Sequence, residues 1–300
     1  MRTYFIRHTE ELDIDDTTRE MLWETRRIAI HFPVDKSGQL PERDNSSLAL
    51  ADYSGSARKA IRILTELARE GGYVCAEYYP RKECLLGYVA PDSQIELVYG
   101  KWGKRQGLTD REAALKSIVL GKAKPFRRAD LAILVGRPRQ GTISRWPSAR
   151  NLIENLVEGR RINPSLELLS PDQQEILCSE FLRSAAAEAL GLARLAHLVL
   201  PVGRTMRDID IFGISDRGMR IFAQVTYRST KQSGAKLKAL LDYADIGRSE
   251  LILFCDCSRV EEKEGVRIIP LRYVYDQFVR TRIGRKWLEI ATAANLNAEG

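Results

Sequence analysis

The chain has 300 residues, of which 44% are hydrophobic and 29% are charged, so it can build a large core and is not a largely disordered protein. Its 47 lysines and arginines against 40 aspartates and glutamates give a net charge of +7, which is compatible with an anionic partner such as nucleic acid. No apolar stretch approaches the roughly 20 residues of a membrane helix, so we predict a soluble, cytoplasmic protein without a membrane partner.

The first half of the chain predicts a mixture of helices and short strands. Ile61, Leu64 and Leu67 recur at helical spacing, and Gly71 ends this predicted helix. Strand-like segments lie at residues 4–7, 28–32, 73–78, 85–89, 94–98, 115–120 and 131–135. Short strands separated by Gly, Pro and Asp indicate a small barrel.

A domain boundary is predicted between Gly136 and Leu169, where loop-forming residues are frequent. We therefore expect an N-terminal domain over residues 1–147, a linker over 148–168 and a C-terminal domain over 169–300.

The second half predicts the order helix, three strands, helix and strand. The first helix is expected from Pro171, which suits a first helical turn, to Leu190. Strands are expected at residues 197–202, 207–213, 219–227, 251–254 and 266–270, a second helix at 235–243 and a last helix from about Tyr273. This order predicts an α/β fold with a mixed sheet flanked by helices.

Polar and apolar side chains alternate on two of these strands. Asp208 and Asp210 are expected on one face and Ile209 and Ile211 on the other. Asp208 is expected to form an ion pair with a neighbouring arginine.

The following strand places Gln224 and Thr226 on one face. If the two strands pair, Asp210 converges with these groups, and Mg²⁺ prefers such oxygen ligands. A cation bound there would activate water and neutralise a phosphodiester. The alternative is that Gln224 and Thr226 are the solvent-facing edge of an ordinary strand.

The order and spacing of these residues resemble the PD-(D/E)XK nuclease superfamily, in particular its Mrr-like restriction endonuclease branch. Asp210 matches the metal-binding Asp of the family, Gln224 its Glu or Gln, and Thr226 the position of its lysine. Glu180 matches the Glu of the first helix, with Glu175 as the alternative.

The resemblance implies a Mg²⁺- or Mn²⁺-dependent endonuclease that cleaves DNA in restriction or phage defence. The implied catalytic and metal-binding groups are Glu180, Asp210, Gln224, Thr226, Lys231 and the carbonyl of Val225. Asp210 and Val225 would bind the metal ion. Because Thr226 carries no charge, Lys231 is expected to bring an ammonium into the same space. By analogy with restriction enzymes, we expect a homodimer.

Two alternatives follow from the missing lysine and from the first domain. One is a catalytically degenerate nuclease fold that binds nucleic acid without cleaving it, and the other is an RNA-directed nuclease. Phosphate contacts are expected near the site from six basic side chains, namely Arg204, Arg207, Arg228, Lys231, Lys236 and Lys238.

The N-terminal half is similar to barrels of the PUA/EVE type, which implies recognition of a modified or flipped base of DNA by an aromatic pocket. The aromatic candidates are Trp23, Tyr53, Trp102 and Trp146. Trp102 is the preferred one, because Lys104 and Arg105 follow it and a loop aromatic among cations suits stacking on a base.

Overall fold

The computed structural model describes residues 1–9, 12–32, 46–104, 112–199 and 209–297, the side chains of Lys231 and Asn297 excepted. It confirms a mixed α/β fold. The chain divides into two compact units, one formed by Met1–Asn163 with the C-terminal residues that follow Thr292, and the other by Pro164–Thr292. No helix in the described ranges is both long enough and apolar enough to span a membrane.

In the ranges that the structure describes, the first unit contains two sheets and three α-helices. Its elements are β1 (Thr3–His8), α1 (Asp16–Glu24), β2 (Arg27–Ile30), α2 (Gly55–Glu70), β3 (Gly72–Tyr78), β4 (Glu83–Val89), β5 (Glu96–Lys101), β6 (Glu112–Val119), β7 (Gly121–Arg127), β8 (Ile143–Arg145) and α3 (Arg150–Val157). Short 3-10 helices cover Leu50–Asp52, Arg128–Asp130, Ala132–Gly136 and Pro147–Ala149.

The strands of the first unit form a five-stranded sheet in the order β7-β4-β3-β1-β8 and a three-stranded sheet in the order β2-β6-β5. Within the described ranges they therefore form two sheets instead of the single small barrel that the sequence predicts. β1 and β3 are parallel neighbours, so their carboxyl ends meet at one edge. The helix predicted before Gly71 is confirmed as α2, whose face with Ile61, Leu64 and Leu67 is fully buried.

Two other predictions about the first unit are wrong. Residues 131–135, expected as a strand, are covered largely by the 3-10 helix Ala132–Gly136. The expected linker over 148–168 contains α3, whose apolar face, including Leu152 and Leu156, is buried. An amphipathic helix of only 8 residues was too short to stand out from the Gly- and Pro-rich residues before it.

The described residues of the second unit form a six-stranded sheet between helices. Its elements are α4 (Pro171–Leu182), α5 (Ala185–Ala189), β9 (Leu195–Leu198), β10 (Ile211–Ser215), β11 (Arg220–Ser229), α6 (Gly234–Leu241), β12 (Ser249–Asp256), β13 (Glu261–Lys263), β14 (Val266–Pro270), α7 (Leu271–Arg280) and α8 (Arg282–Ala291). Short 3-10 helices cover Leu166–Leu168 and Thr230–Gln232, and one more, Ala294–Asn297, follows the unit.

The sheet of the second unit has the order β13-β14-β12-β11-β10-β9, with β11 parallel to β12 and antiparallel to β10. Apolar side chains of α4, α7 and α8 pack on one face, and those of α6 on the other. The predicted order of helix, three strands, helix and strand is confirmed. The helix expected from Pro171 to Leu190 is instead divided into α4 and α5.

The start of α4 is fixed by hydrogen bonds that its sequence supplies. Ser170 accepts from the backbone N–H of Gln173 at 3.3 Å, and Gln173 accepts in return from that of Ser170 at 2.9 Å. Such a reciprocal cap satisfies two otherwise unpaired backbone donors. Gln173 also donates to the carbonyl of Ala291 at 2.6 Å, which ties the start of α4 to the end of α8.

Candidate functional site

Asp210 lies at a bend immediately before β10, beside the middle of β11. Its backbone N–H donates to the carbonyl of Ala223 at 3.0 Å, and its carboxylate Oδ2 accepts from the backbone N–H of Val225 at 2.8 Å. The side chain is 26% exposed, so the carboxylate is fixed by the strand and still reachable from solvent.

The expected orientation of the isoleucines beside Asp210 is wrong. Ile209 packs in the layer of α6, whereas Ile211 packs in the layer of α4. The alternation that the sequence predicts requires an extended strand, but the chain bends at Asp210 and β10 begins only at Ile211. Asp208 lies outside the described residues.

Lys236 brings a positive charge to this carboxylate from the first turn of α6. Its Nζ donates to the carbonyl oxygen of Val225 at 2.8 Å and lies 3.5 Å from Oδ2 of Asp210. The side chain is 37% exposed. The ammonium therefore bridges the two oxygen-bearing groups that the resemblance assigns to a metal ion.

Gln224 and Thr226 lie on β11, alternating with Ala223 and Val225, which contribute to the layer of α4. Gln224 is 2% exposed and Thr226 is 7% exposed, so the alternative of a solvent-facing strand edge is wrong. Oε1 of Gln224 is buried without a hydrogen-bond partner in the described part of the chain. Thr226 accepts from the backbone N–H of Arg228 at 3.2 Å.

The two candidate glutamates of α4 lie in different surroundings. Glu180 forms an ion pair with Arg183 at 3.1 Å and its side chain is 43% exposed. Glu175 lies about 140° around the helix from Glu180. The negative charges of Glu175 and Asp210 both raise the pKa of the buried Cys178 thiol. Of the two glutamates, Glu175 is therefore the one that shares an electrostatic environment with Asp210.

Burial and negative charge together shape the electrostatics here. Burial, followed by the charges of Glu175 and Asp210, raises the pKa of the Cys178 thiol well above its usual range. Burial, followed by Asp172 and Glu175, raises the pKa of Tyr227 to about 12. Both groups are therefore neutral at physiological pH.

The donor set fits a hydrated hard cation only in part. Mg²⁺ is commonly held by one or two carboxylates together with water and phosphate oxygens. Asp210 and the carbonyl of Val225 supply such oxygens at one place, and the neighbouring Gln224 carries a buried Oε1 without a partner in the described residues. In the described ranges, however, no three His, Cys, Asp or Glu side chains gather as potential metal ligands.

The predicted phosphate-binding residues have different outcomes. Arg228 and Lys104 are exposed. Arg105, Arg204 and Arg207 lie outside the described residues, as does the side chain of Lys231.

The prediction that Trp102 is an exposed stacking aromatic is wrong. Trp102 is 4% exposed and packs edge-on against His31, with ring centroids 4.1 Å apart. Tyr53 and Trp146 are 3% and 2% exposed, and Trp23 is partly buried against the same core as Trp102. Aromatic rings supply large apolar area to a core, and a flanking lysine in the sequence does not overcome that tendency.

Sequence reasoning assigned Lys236 to phosphate and missed its place beside Asp210. A signal was present, since Lys236 follows β11 by one short turn and lies in the first turn of a predicted helix.

In comparisons with family models, with curated proteins and with solved structures, no match to this chain was found.

Proposed function

We propose that the unit Pro164–Thr292 hydrolyses phosphodiester bonds of DNA with the help of Mg²⁺ or Mn²⁺, as an endonuclease of restriction or phage defence. The observation that carries the proposal is the convergence of Asp210, Lys236 and the carbonyl of Val225 at one half-exposed point. A carboxylate, an ammonium and a carbonyl oxygen are groups that hydrolysis of a phosphodiester can use for charge neutralisation and positioning.

The order of elements supports the same reading. From α4 through β9, β10 and β11 to α6 and β12, the unit follows the helix–β–β–β–helix–β order of the PD-(D/E)XK nucleases that it resembles. We extend the proposal to that restriction-endonuclease-like architecture, to a homodimer and to a cytoplasmic location. The PUA/EVE-like role of the first unit, recognition of DNA including modified DNA, is part of the proposal.

Within this proposal, each residue has a separate task. Asp210, Gln224 and the Val225 carbonyl would hold the metal ion, with Glu175 supplying further negative charge. The ion, when bound, activates water and offsets the charge of the phosphodiester. Lys236 takes the task of the lysine that Thr226 replaces, because its ammonium already reaches Asp210 and can donate to a phosphate oxygen or orient a water molecule.

One observation favours a second candidate, a nuclease fold that binds nucleic acid without cleaving it. The ammonium of Lys236 is bonded to Val225 and paired with Asp210, and a cation in that position can replace a metal ion electrostatically. The amide of Gln224 also supplies less negative charge than a second carboxylate would.

The experiment that separates the candidates is cleavage of supercoiled plasmid, with and without base modification, in Mg²⁺ or Mn²⁺. Nicked or linear products that require the metal support the nuclease. Salt-sensitive binding without products under either metal supports the binding protein. Competition between DNA and RNA of the same sequence distinguishes a DNA nuclease from an RNA-directed one.

A further inference from the structure

Four cationic residues follow one another closely where α7 turns into α8. We name residues 279–290 the α7–α8 corner, which belongs to the second unit. Its cations are Arg280, Arg282, Arg285 and Lys286, and its one acidic residue is Glu289. Four positive charges against one negative charge give the corner a formal charge of +3. All four cationic side chains are exposed.

The corner is held together by contacts between its two helices. The start of α8 is capped by Thr281, whose Oγ1 accepts from the backbone N–H of Gly284 at 2.9 Å. A Cβ on Gly284 would clash with the carbonyl of Phe278, so glycine is what allows the first turn of α8 to lie against the last turn of α7. The Nη1 of Arg285 donates back to the carbonyl of Val279 at 2.7 Å. This guanidinium is therefore fixed beside the end of α7.

The charge of the corner is not compensated within the described part of the protein. Elsewhere in the unit arginines are commonly paired with acidic side chains, as Arg267 is with Glu262 at 3.3 Å. The three arginines of the corner make no ion pair with a residue in the described ranges. Lys286 lies 3.5 Å from Glu289, and both side chains are largely open to water, so this pair is weak. An anionic partner can therefore bind here without displacing a strong internal contact.

An isoleucine projects from the middle of these cations. Ile283 is 73% exposed and lies between Arg282 and Arg285 in the sequence. The apolar face of α8 is committed to the core, since Leu288 is 1% exposed. A helix that lies in a membrane interface instead keeps its apolar face free to enter the lipid. Arginines around a protruding isoleucine suit DNA, because minor-groove proteins combine cations with an inserted apolar side chain.

We infer that the α7–α8 corner binds the phosphate backbone of duplex DNA through its three arginines, with Ile283 against the minor groove. Guanidiniums match phosphate oxygens in charge and geometry. The inference rests on the proposed function for its choice of DNA, and it adds a surface that the Asp210 site does not include. Binding at the corner needs no metal ion, so it can be measured apart from cleavage.

The test is binding of the full chain to a short fluorescent DNA duplex in buffer with EDTA, followed by anisotropy over a range of KCl concentrations. The double variant Arg280→Ala/Arg282→Ala should weaken binding at least about tenfold. It should also lower the slope of log affinity against log salt by about 2, since each phosphate contact contributes roughly 1. Arg217→Ala is the matched control, because Arg217 is an exposed arginine of the turn between β10 and β11. It should leave affinity and slope unchanged.

The isoleucine is tested in the same way. Ile283→Ser should weaken binding of the duplex about fivefold, because the side chain loses its apolar contact with the groove. Ile246→Ser is the control, since Ile246 is a fully exposed isoleucine outside the corner, and it should have no effect. Vesicles of phosphatidylcholine and phosphatidylserine are the competing probe. Tighter binding to these vesicles than to the duplex would overturn the inference in favour of a membrane.

Three further results would each overturn the inference: equal effects of the double variant and Arg217→Ala, no effect of Ile283→Ser, or no binding of the duplex up to about 100 µM protein. All the replaced side chains are exposed, so a common midpoint of urea unfolding is expected. A chain that binds as described and cleaves no DNA would refute the nuclease and leave the corner as its DNA surface. A chain that cleaves DNA while the double variant binds normally would refute the corner alone.

Discussion

Asp210 and Lys236 both form hydrogen bonds with the backbone of Val225 on β11. Asp210 accepts from the N–H of Val225 and Lys236 donates to its carbonyl, both at 2.8 Å. The pairing of β11 with β10 ends at Ala223, so at Val225 these side chains take the place of strand neighbours where that ladder is interrupted. The same interruption exposes a carboxylate and an ammonium 3.5 Å apart, which is the basis of the proposed chemistry.

Replacing Lys236 by Met should lower DNA cleavage by at least about 100-fold, because a positioned positive charge contributes that much to a transition state. The free energy of unfolding should fall by only about 1 kcal/mol, since the side chain is partly exposed and water can bond to the Val225 carbonyl. Lys263→Met is the control, because Lys263 lies on β13 of the same unit, is exposed and has no role in the proposed site. Equal cleavage by the two variants would contradict the role of Lys236.

Glu175→Gln should raise the concentration of Mn²⁺ needed for half-maximal cleavage about tenfold, because outer charges around a metal ion support its binding. Glu180→Gln is the control, since it removes the same charge from another position on α4. The comparison is a titration of cleavage rate with Mn²⁺. A larger effect at Glu180 would restore the assignment that the sequence favoured.

Gln224→Met should separate stability from activity. A buried amide oxygen without a partner in the described residues is costly, and an apolar side chain of similar shape removes that cost. We expect an unchanged or raised midpoint of urea unfolding together with loss of metal-dependent cleavage. A clear fall in the midpoint would show that the amide of Gln224 makes a stabilising hydrogen bond in the folded chain. Its oxygen would then not be available to bind a metal ion, which contradicts the proposal.

The two buried histidines predict acid sensitivity of the first unit. Burial lowers the pKa of His8 and of His31 to about 4, whereas an ordinary histidine titrates near 6.5. As the pH falls below about 6.5, these histidines bind protons in the unfolded chain. In the folded chain they bind protons only near pH 4. Stability is therefore lost across this window, by about 1.4 kcal/mol per pH unit for each histidine.

Urea unfolding at pH 7 and pH 5, followed by tryptophan fluorescence, measures this loss. The expected difference in free energy is about 4 kcal/mol for the two histidines. His8→Gln should remove about half of the dependence on pH. Equal stability at pH 7 and pH 5 would show that both rings are accessible to protons in the folded state.

The sequence predicts the second unit better than the first. Alternation on β11 and the helical period of α6 depend on local spacing, so the order of elements and the face shared by Gln224 and Thr226 follow from it. The bend at Asp210 and the reach of Lys236 depend on how β10, β11 and α6 meet in space. Spacing along the chain does not contain that relationship, and the reversed packing of Ile209 was therefore missed.

In the first unit, individual elements such as α2 were predictable and their assembly was not. The sequence of a short strand is the same kind of pattern in a closed barrel and in two separate sheets. It does not identify the strand's partners, because these are set by contacts distant in sequence. For the same reason Trp102 was expected on the surface.

The most direct test of the account is metal-dependent cleavage of plasmid DNA by Asp210→Asn beside the unchanged chain. Asparagine retains an oxygen that can accept from Val225, so the fold is kept, while the negative charge that a metal ion requires is lost. We expect the unchanged chain to cleave in Mg²⁺ or Mn²⁺, and this variant, with an unaltered melting temperature, not to cleave. Cleavage that persists at the original rate in Asp210→Asn would contradict it.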